Sequence, residues 1–175
     1  MVDRLVWRPL MGWATAWSFD GLRMWLERGV PPEVSRRSAV IREASRLSLA
    51  TTWLYHGLIP KLIYRDSGER ELLRGIKVLK GRESTALAAI GLGEIAFGIL
   101  MAARPRHRWP YLVNLLALPV FTAGAWRSNR RVFTAPFNPA TLNLAMMGLA
   151  LAAYLSTPDT PTAANCLREP PVTEA

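Results

Sequence analysis

The chain is poor in the residues that mark most catalytic chemistry. It has one cysteine, Cys166, and two histidines in 175 residues. A single thiol excludes an intrachain disulfide, a paired-cysteine redox centre and a thiolate-rich metal site, and with them a quinone-coupled dithiol oxidase. Cys166 lies in a Pro/Thr-rich stretch and reads as an idle thiol. His56 lies in an apolar run and His107 in a basic turn, so there is no bis-histidine pair for a haem. Metal-ligand spacing, a Gly-rich phosphate loop, a Ser/His/Asp set and paired catalytic carboxylates are missing, and no metal site is expected. The first thirty residues lack an uninterrupted apolar stretch, because Arg8, Asp20, Arg23, Glu27 and Arg28 break it. The expectation is that the first span acts as its own uncleaved signal.

Acid is scarce relative to base, with 13 Asp+Glu against 22 Lys+Arg and a net charge of +9. Yet 50% of the residues are hydrophobic and the mean hydropathy is +0.11. Both hold because charge and apolar surface are segregated. Leu47–Tyr64, Thr85–Ala103, Trp109–Trp126 and Pro139–Ser156 are almost free of charge. That much apolar surface excludes a disordered chain. A soluble bundle would show a polar face on each helix, whereas these runs are apolar nearly all round. The cations sit at the run ends (Arg42 and Arg46, Arg104 to Arg108, Arg127 to Arg131), where they snorkel to lipid phosphates. They form no single patch for nucleic acid. The expected partner is the lipid bilayer.

Three regions are expected. Residues 1–34 form an amphipathic interfacial arm, residues 35–156 a transmembrane four-helix domain, and residues 157–175 a disordered, proline-rich tail. In the arm, Leu10, Ala14, Trp17, Leu22, Trp25 and Leu26 approximate one helical face, which Gly29 and Pro31-Pro32 terminate. Its tryptophans suit the headgroup level; the alternative is a soluble arm. Ser35 or Ser38 is the candidate cap of the next helix. The first run is eighteen residues, roughly 27 Å as a helix, just enough for a hydrocarbon core of about 30 Å. Residues 65–83 read as a short amphipathic loop helix on Leu72, Leu73, Ile76 and Leu79, stopped by Gly81. In the second run Ala88, Gly91, Gly98 and Ala102 let helices approach closely. The turn Arg104–Arg108 makes the second and third runs antiparallel neighbours. The third run has a tryptophan at each end and is interrupted by Asn114 and Pro119; the fourth opens on Pro139, where a missing N–H costs nothing. The cations are near balance on the two sides. That balance leaves the orientation open, and the acid-containing helix opposite the termini tips it only slightly toward cytoplasmic termini.

An ionised carboxylate at mid-membrane costs at least about 2.5–3.5 kcal/mol, so Glu94 needs a partner, a proton or a wet cavity. Glu94 lies about 13 Å into its run, His56 about 12 Å from the same side, and Lys61 only about 4–5 Å. On depth, His56 matches Glu94, and Lys61 does so only by turning its side chain inward. Pro60 cannot donate to the His56 carbonyl, which leaves that oxygen open beside Tyr55 and Gly57; Pro119 does the same for Leu115. The candidate binding residues are therefore His56, Glu94, Lys61, Tyr55, Asn114 and Asn143. One reading makes them a pocket for a quinone, a polar lipid or a proton-linked small molecule. The other makes them interhelical glue.

The stretch from Arg46 through Tyr55-His-Gly-Leu-Ile-Pro-Lys61, the charged Glu69–Leu73 segment, the Gly-rich run around Glu94, and the last run opening Phe137-Asn-Pro with Leu142-Asn-Leu resemble the DoxX-like family of small bacterial membrane proteins. The resemblance covers roughly residues 42–156. It implies an all-α transmembrane four-helix bundle in the bacterial cytoplasmic membrane. It also implies association with an oxidoreductase partner protein or a quinone-reducing complex. With one cysteine only, this chain departs from what a paired-thiol redox role would need.

Overall fold

The computed structural model describes residues 3–64, 69, 73, 81–103, 106–136 and 138–165. Among them there are helices and turns and no strand. The helices are α1 (Arg8–Arg28), α2 (Pro32–Leu58), α3 (Glu83–Ala103), α4 (Trp109–Ser128) and α5 (Pro139–Ser156). The loop helix expected over 65–83 falls mostly outside the described residues. Its proposed stop, Gly81, has φ +81°, a conformation that glycine adopts without strain. Two compact units emerge, Met1–Arg42 with Ser156–Ala175, and Glu43–Leu155.

In the first unit a π-helical turn (Asp3–Trp7) leads into α1. Gly29, at φ 65°, ends α1, and its N–H bonds the Trp25 carbonyl at 3.0 Å. The buried stripe of α1 is Ala16, Asp20 and Met24, four residues apart. Leu22, Trp25 and Leu26 of the expected apolar face are exposed. Ser35 is not the cap of α2. The helix starts earlier, with Pro32 in its first position, and the Ser35 hydroxyl donates to the Pro32 carbonyl at 3.0 Å. Residues 157–165, expected in the disordered tail, are ordered as two 3-10 turns. The buried Asp20 explains it: Oδ2 accepts from the Thr162 N–H at 2.7 Å while Oδ1 pairs with Arg23 at 2.7 Å. Arg28 adds bonds to the Pro158 carbonyl at 2.8 Å and to Asp159 at 3.2 Å. Residues 166–175, including Cys166, lie outside the described residues.

The second unit has one core drawn from four helices: Leu49, Ala50 and Trp53 of α2, Met101 of α3, Tyr111 and Leu118 of α4, and Met146, Ala150 and Ala153 of α5. Around it many large apolar side chains face outward, among them Leu116 (72% exposed), Leu144 (70%) and Val120 (67%). In water such a surface would be an aggregation liability; lipid tails solvate it. Glu83–Ala103 and Pro139–Asp159 are each long and apolar enough to cross a membrane. The other two expected spans fall below that measure. Asn114, two prolines and two tryptophans dilute α4, and α2 spends its first half on charged residues before the apolar run begins.

Candidate functional site

α2 and α3 run antiparallel, and glycine sets how close they come. A Cβ on Gly57 would lie 2.5 Å from the Gly91 carbonyl, and one on Gly98 would lie 3.0 Å from the Ala50 carbonyl. Neither fits, so these positions must stay bare for the backbones to touch. Arg46 closes one end of the pair: its guanidinium donates to the carbonyls of Met101 (3.2 Å) and Ala102 (2.5 Å). Those oxygens end α3 and have no partner within the helix. Glu43 holds the same guanidinium at 2.6 Å.

Lys61 closes the other end. After Leu58 the chain widens into a π-helical turn, Ile59–Ile63, with Tyr64 N–H bonding the Ile59 carbonyl at 2.8 Å. Pro60 is the local cause, since it removes the donor that an α-helix needs there. The Lys61 ammonium lies 2.9 Å from Glu94 Oε2 and 2.8 Å from Glu69 Oε2. It also donates to the His56 carbonyl at 3.3 Å, the oxygen that Pro60 leaves without its helical partner. Gly91 makes the room, because a Cβ there would lie 2.9 Å from Lys61 Cβ. Glu94 Oε2 is fully buried, and its contact is an ion pair rather than a well-directed hydrogen bond.

Lys61 therefore turns inward and pairs with Glu94, where the depth count favoured His56. That count compared backbone levels. Helical side chains lean toward the helix N-terminus, so a four-carbon stem starting one turn away reaches back to the level of His56. The imidazole meets Tyr55 edge-on, with ring centroids 5.8 Å apart. Tyr55 itself is exposed.

The asparagines do not join this cluster. Asn114, fully buried, accepts from Trp53 Nε1 at 2.9 Å and donates to the Pro110 carbonyl at 2.8 Å. Asn143 donates to Thr122 Oγ1 at 2.8 Å, tying α5 to α4, and Thr122 donates onward to the Leu118 carbonyl at 2.9 Å. Sequence reasoning passed over Trp53 and Thr122, and it read Arg46 as a cation reaching lipid phosphates, whereas Arg46 bonds the carbonyls that end α3. Trp53 gave a signal: an indole in mid-run, away from the interface, needs an acceptor once buried.

Outward apolar faces around a buried ion pair and internally bonded amides define a membrane protein. The model of the DoxX-like family matches residues 50–151, and the chain belongs to that family. It is also similar to the uncharacterized membrane protein YndG of Bacillus subtilis (strain 168), 50% identical over 56 residues. The matched stretch is 32% of this chain and 21% of YndG, so this chain accounts for about a fifth of that relative's length. No solved structure matches.

Proposed function

We propose that this chain is a multi-pass subunit of the bacterial cytoplasmic membrane that anchors and positions an oxidoreductase partner and has no independent catalytic step. Four helices cross the bilayer, so the turn after α3 and the turn after α4 face opposite sides. The observation that carries the reading is the way the intramembrane polar groups are used. Glu94 is held by Lys61, Asn114 by Trp53 and Pro110, and Asn143 by Thr122. Groups bound to each other fix helix packing and build a stiff platform. The test is purification of the tagged chain from membranes under mild detergent, with associated proteins identified by mass spectrometry. A flavin- or nucleotide-dependent oxidoreductase retained with the chain is expected. Capture of no partner by a chain that turns over substrate alone contradicts the proposal.

One observation favours a second reading, a quinone- or small-molecule-binding subunit or proton-linked transporter. The Lys61 ammonium serves two carboxylates, Glu94 at 2.9 Å and Glu69 at 2.8 Å. A ligand oxygen can replace one of them, or a proton can neutralise one, without leaving the lysine unpaired, and the His56 imidazole stands nearby. Under this reading Glu94→Gln abolishes quinone retention or proton movement in proteoliposomes while the fold persists. Under the first it leaves partner capture intact.

A further inference from the structure

An apolar groove of about 650 Å³ runs between α4 and α5, lined by Pro119, Ala123 and Arg127 on one side and Ala140, Leu144 and Met147 on the other. Its size falls in the range of small-ligand sites, roughly 300–1,000 Å³. Thr122 also lines it, but that hydroxyl is already committed to Asn143 and to the Leu118 carbonyl. The wall thus offers hydrocarbon along its length and one charged group, the Arg127 guanidinium, at one end.

The groove follows the helices. Pro119 to Arg127 is about 12 Å and Ala140 to Met147 about 10–11 Å along their axes. A single leaflet's hydrocarbon is roughly 15 Å deep, so the groove reaches from the headgroup level most of the way to the midplane. The rim is held by rings. Trp126 and Phe133 meet edge-on at 5.1 Å, and the Arg130 guanidinium lies 5.5 Å over the Trp126 ring. Charge decides the occupant. The sequence has no acidic residue between Glu94 and Asp159, while Arg127, Arg130 and Arg131 cluster at this rim. Among the described residues no acidic side chain pairs with Arg127, and the groove it closes carries no acidic side chain.

We propose that this groove is a binding site for an anionic phospholipid, with one acyl chain along α4 and α5 and the phosphate on Arg127. A guanidinium matches phosphate in shape as well as charge. A second copy of the chain fits worse, since a two-fold contact there sets Arg127 against its equivalent.

The test is native mass spectrometry of the full chain in detergent, titrated with dioleoylphosphatidylglycerol or dioleoylphosphatidylcholine. The glycerol lipid is expected to bind about tenfold more tightly, and Arg127→Gln to remove about that factor. Ala140→Leu, which fills the groove, is expected to lower binding of both lipids. If that variant does not fold, the Arg127→Gln comparison stands alone. Equal binding of the two lipids overturns the proposal. So does phosphatidylglycerol binding that Arg127→Gln leaves unchanged, or a dimer that Ala140→Leu abolishes and phosphatidylglycerol does not disperse.

Discussion

Removing Lys61 and removing Glu94 do not cost the same, although both break one ion pair. Lys61→Met leaves the Glu94 carboxylate, at 15% side-chain exposure, facing a methionine. Breaking a buried pair from one side costs about 3–5 kcal/mol. Glu94→Leu leaves Lys61 with Glu69 at 2.8 Å and the His56 carbonyl at 3.3 Å. The ammonium keeps a counter-ion, so the expected loss is only about 1.5–3 kcal/mol, that of one lost contact between charged groups. The double variant Lys61→Met/Glu94→Leu replaces the pair by packing and is expected within about 1 kcal/mol of the parent. A double-mutant cycle then gives a coupling of about 3 kcal/mol or more. Equilibrium unfolding in mixed detergent micelles, followed by helical circular dichroism, measures all four proteins. If Lys61→Met is as stable as the parent, or Glu94→Leu is the more damaging, the buried pair does not organise this end of the helices.

The remaining expectations use the same unfolding assay unless stated. Gly57→Ala and Gly91→Ala push a methyl into backbone or the Lys61 stem, and each is expected to cost about 1–3 kcal/mol. Gly124→Ala and Gly148→Ala meet nothing within 4 Å and are expected to stabilise by up to about 1 kcal/mol through helix propensity. Arg46→Ala releases the Met101 and Ala102 carbonyls and is expected to cost about 1.5–3 kcal/mol, with faster hydrogen exchange in the last turn of α3. Arg46→Lys rescues only part, because an ammonium cannot reproduce the fork. Asp20→Ala frees the Thr162 N–H, and limited proteolysis is expected to cut within 157–165 in the variant and not in the parent.

Helices that were legible in the sequence were legible for local reasons. The last run, Pro139–Ser156, matches α5 at both ends because proline opens it and the following Thr-Pro closes it. The second run ends with α3 at Ala103. The Gly91/Gly98 spacing marked a close approach, and Pro60 marked an open carbonyl at His56. The pairings were less legible. Which cation meets Glu94 depends on the direction of a flexible stem and on a hole at Gly91, and a count of backbone levels contains neither. The sequence put both asparagines into one candidate pocket, yet each found a partner on another helix: Trp53 on α2 for Asn114, Thr122 on α4 for Asn143. Residues 157–165 looked disordered by composition. One buried carboxylate on α1, more than a hundred residues away in sequence, orders them.

Whether four helices cross the bilayer is tested most directly by which side each turn faces. In a Cys166→Ser background, Arg106→Cys and Ala135→Cys place single thiols on exposed turns at the two ends of α4. Labelling with a membrane-impermeant maleimide, in intact cells and then in opened membranes, is expected to modify one thiol from outside and the other only after opening. If both thiols label from the same side, α4 does not traverse the membrane and the four-span account is wrong.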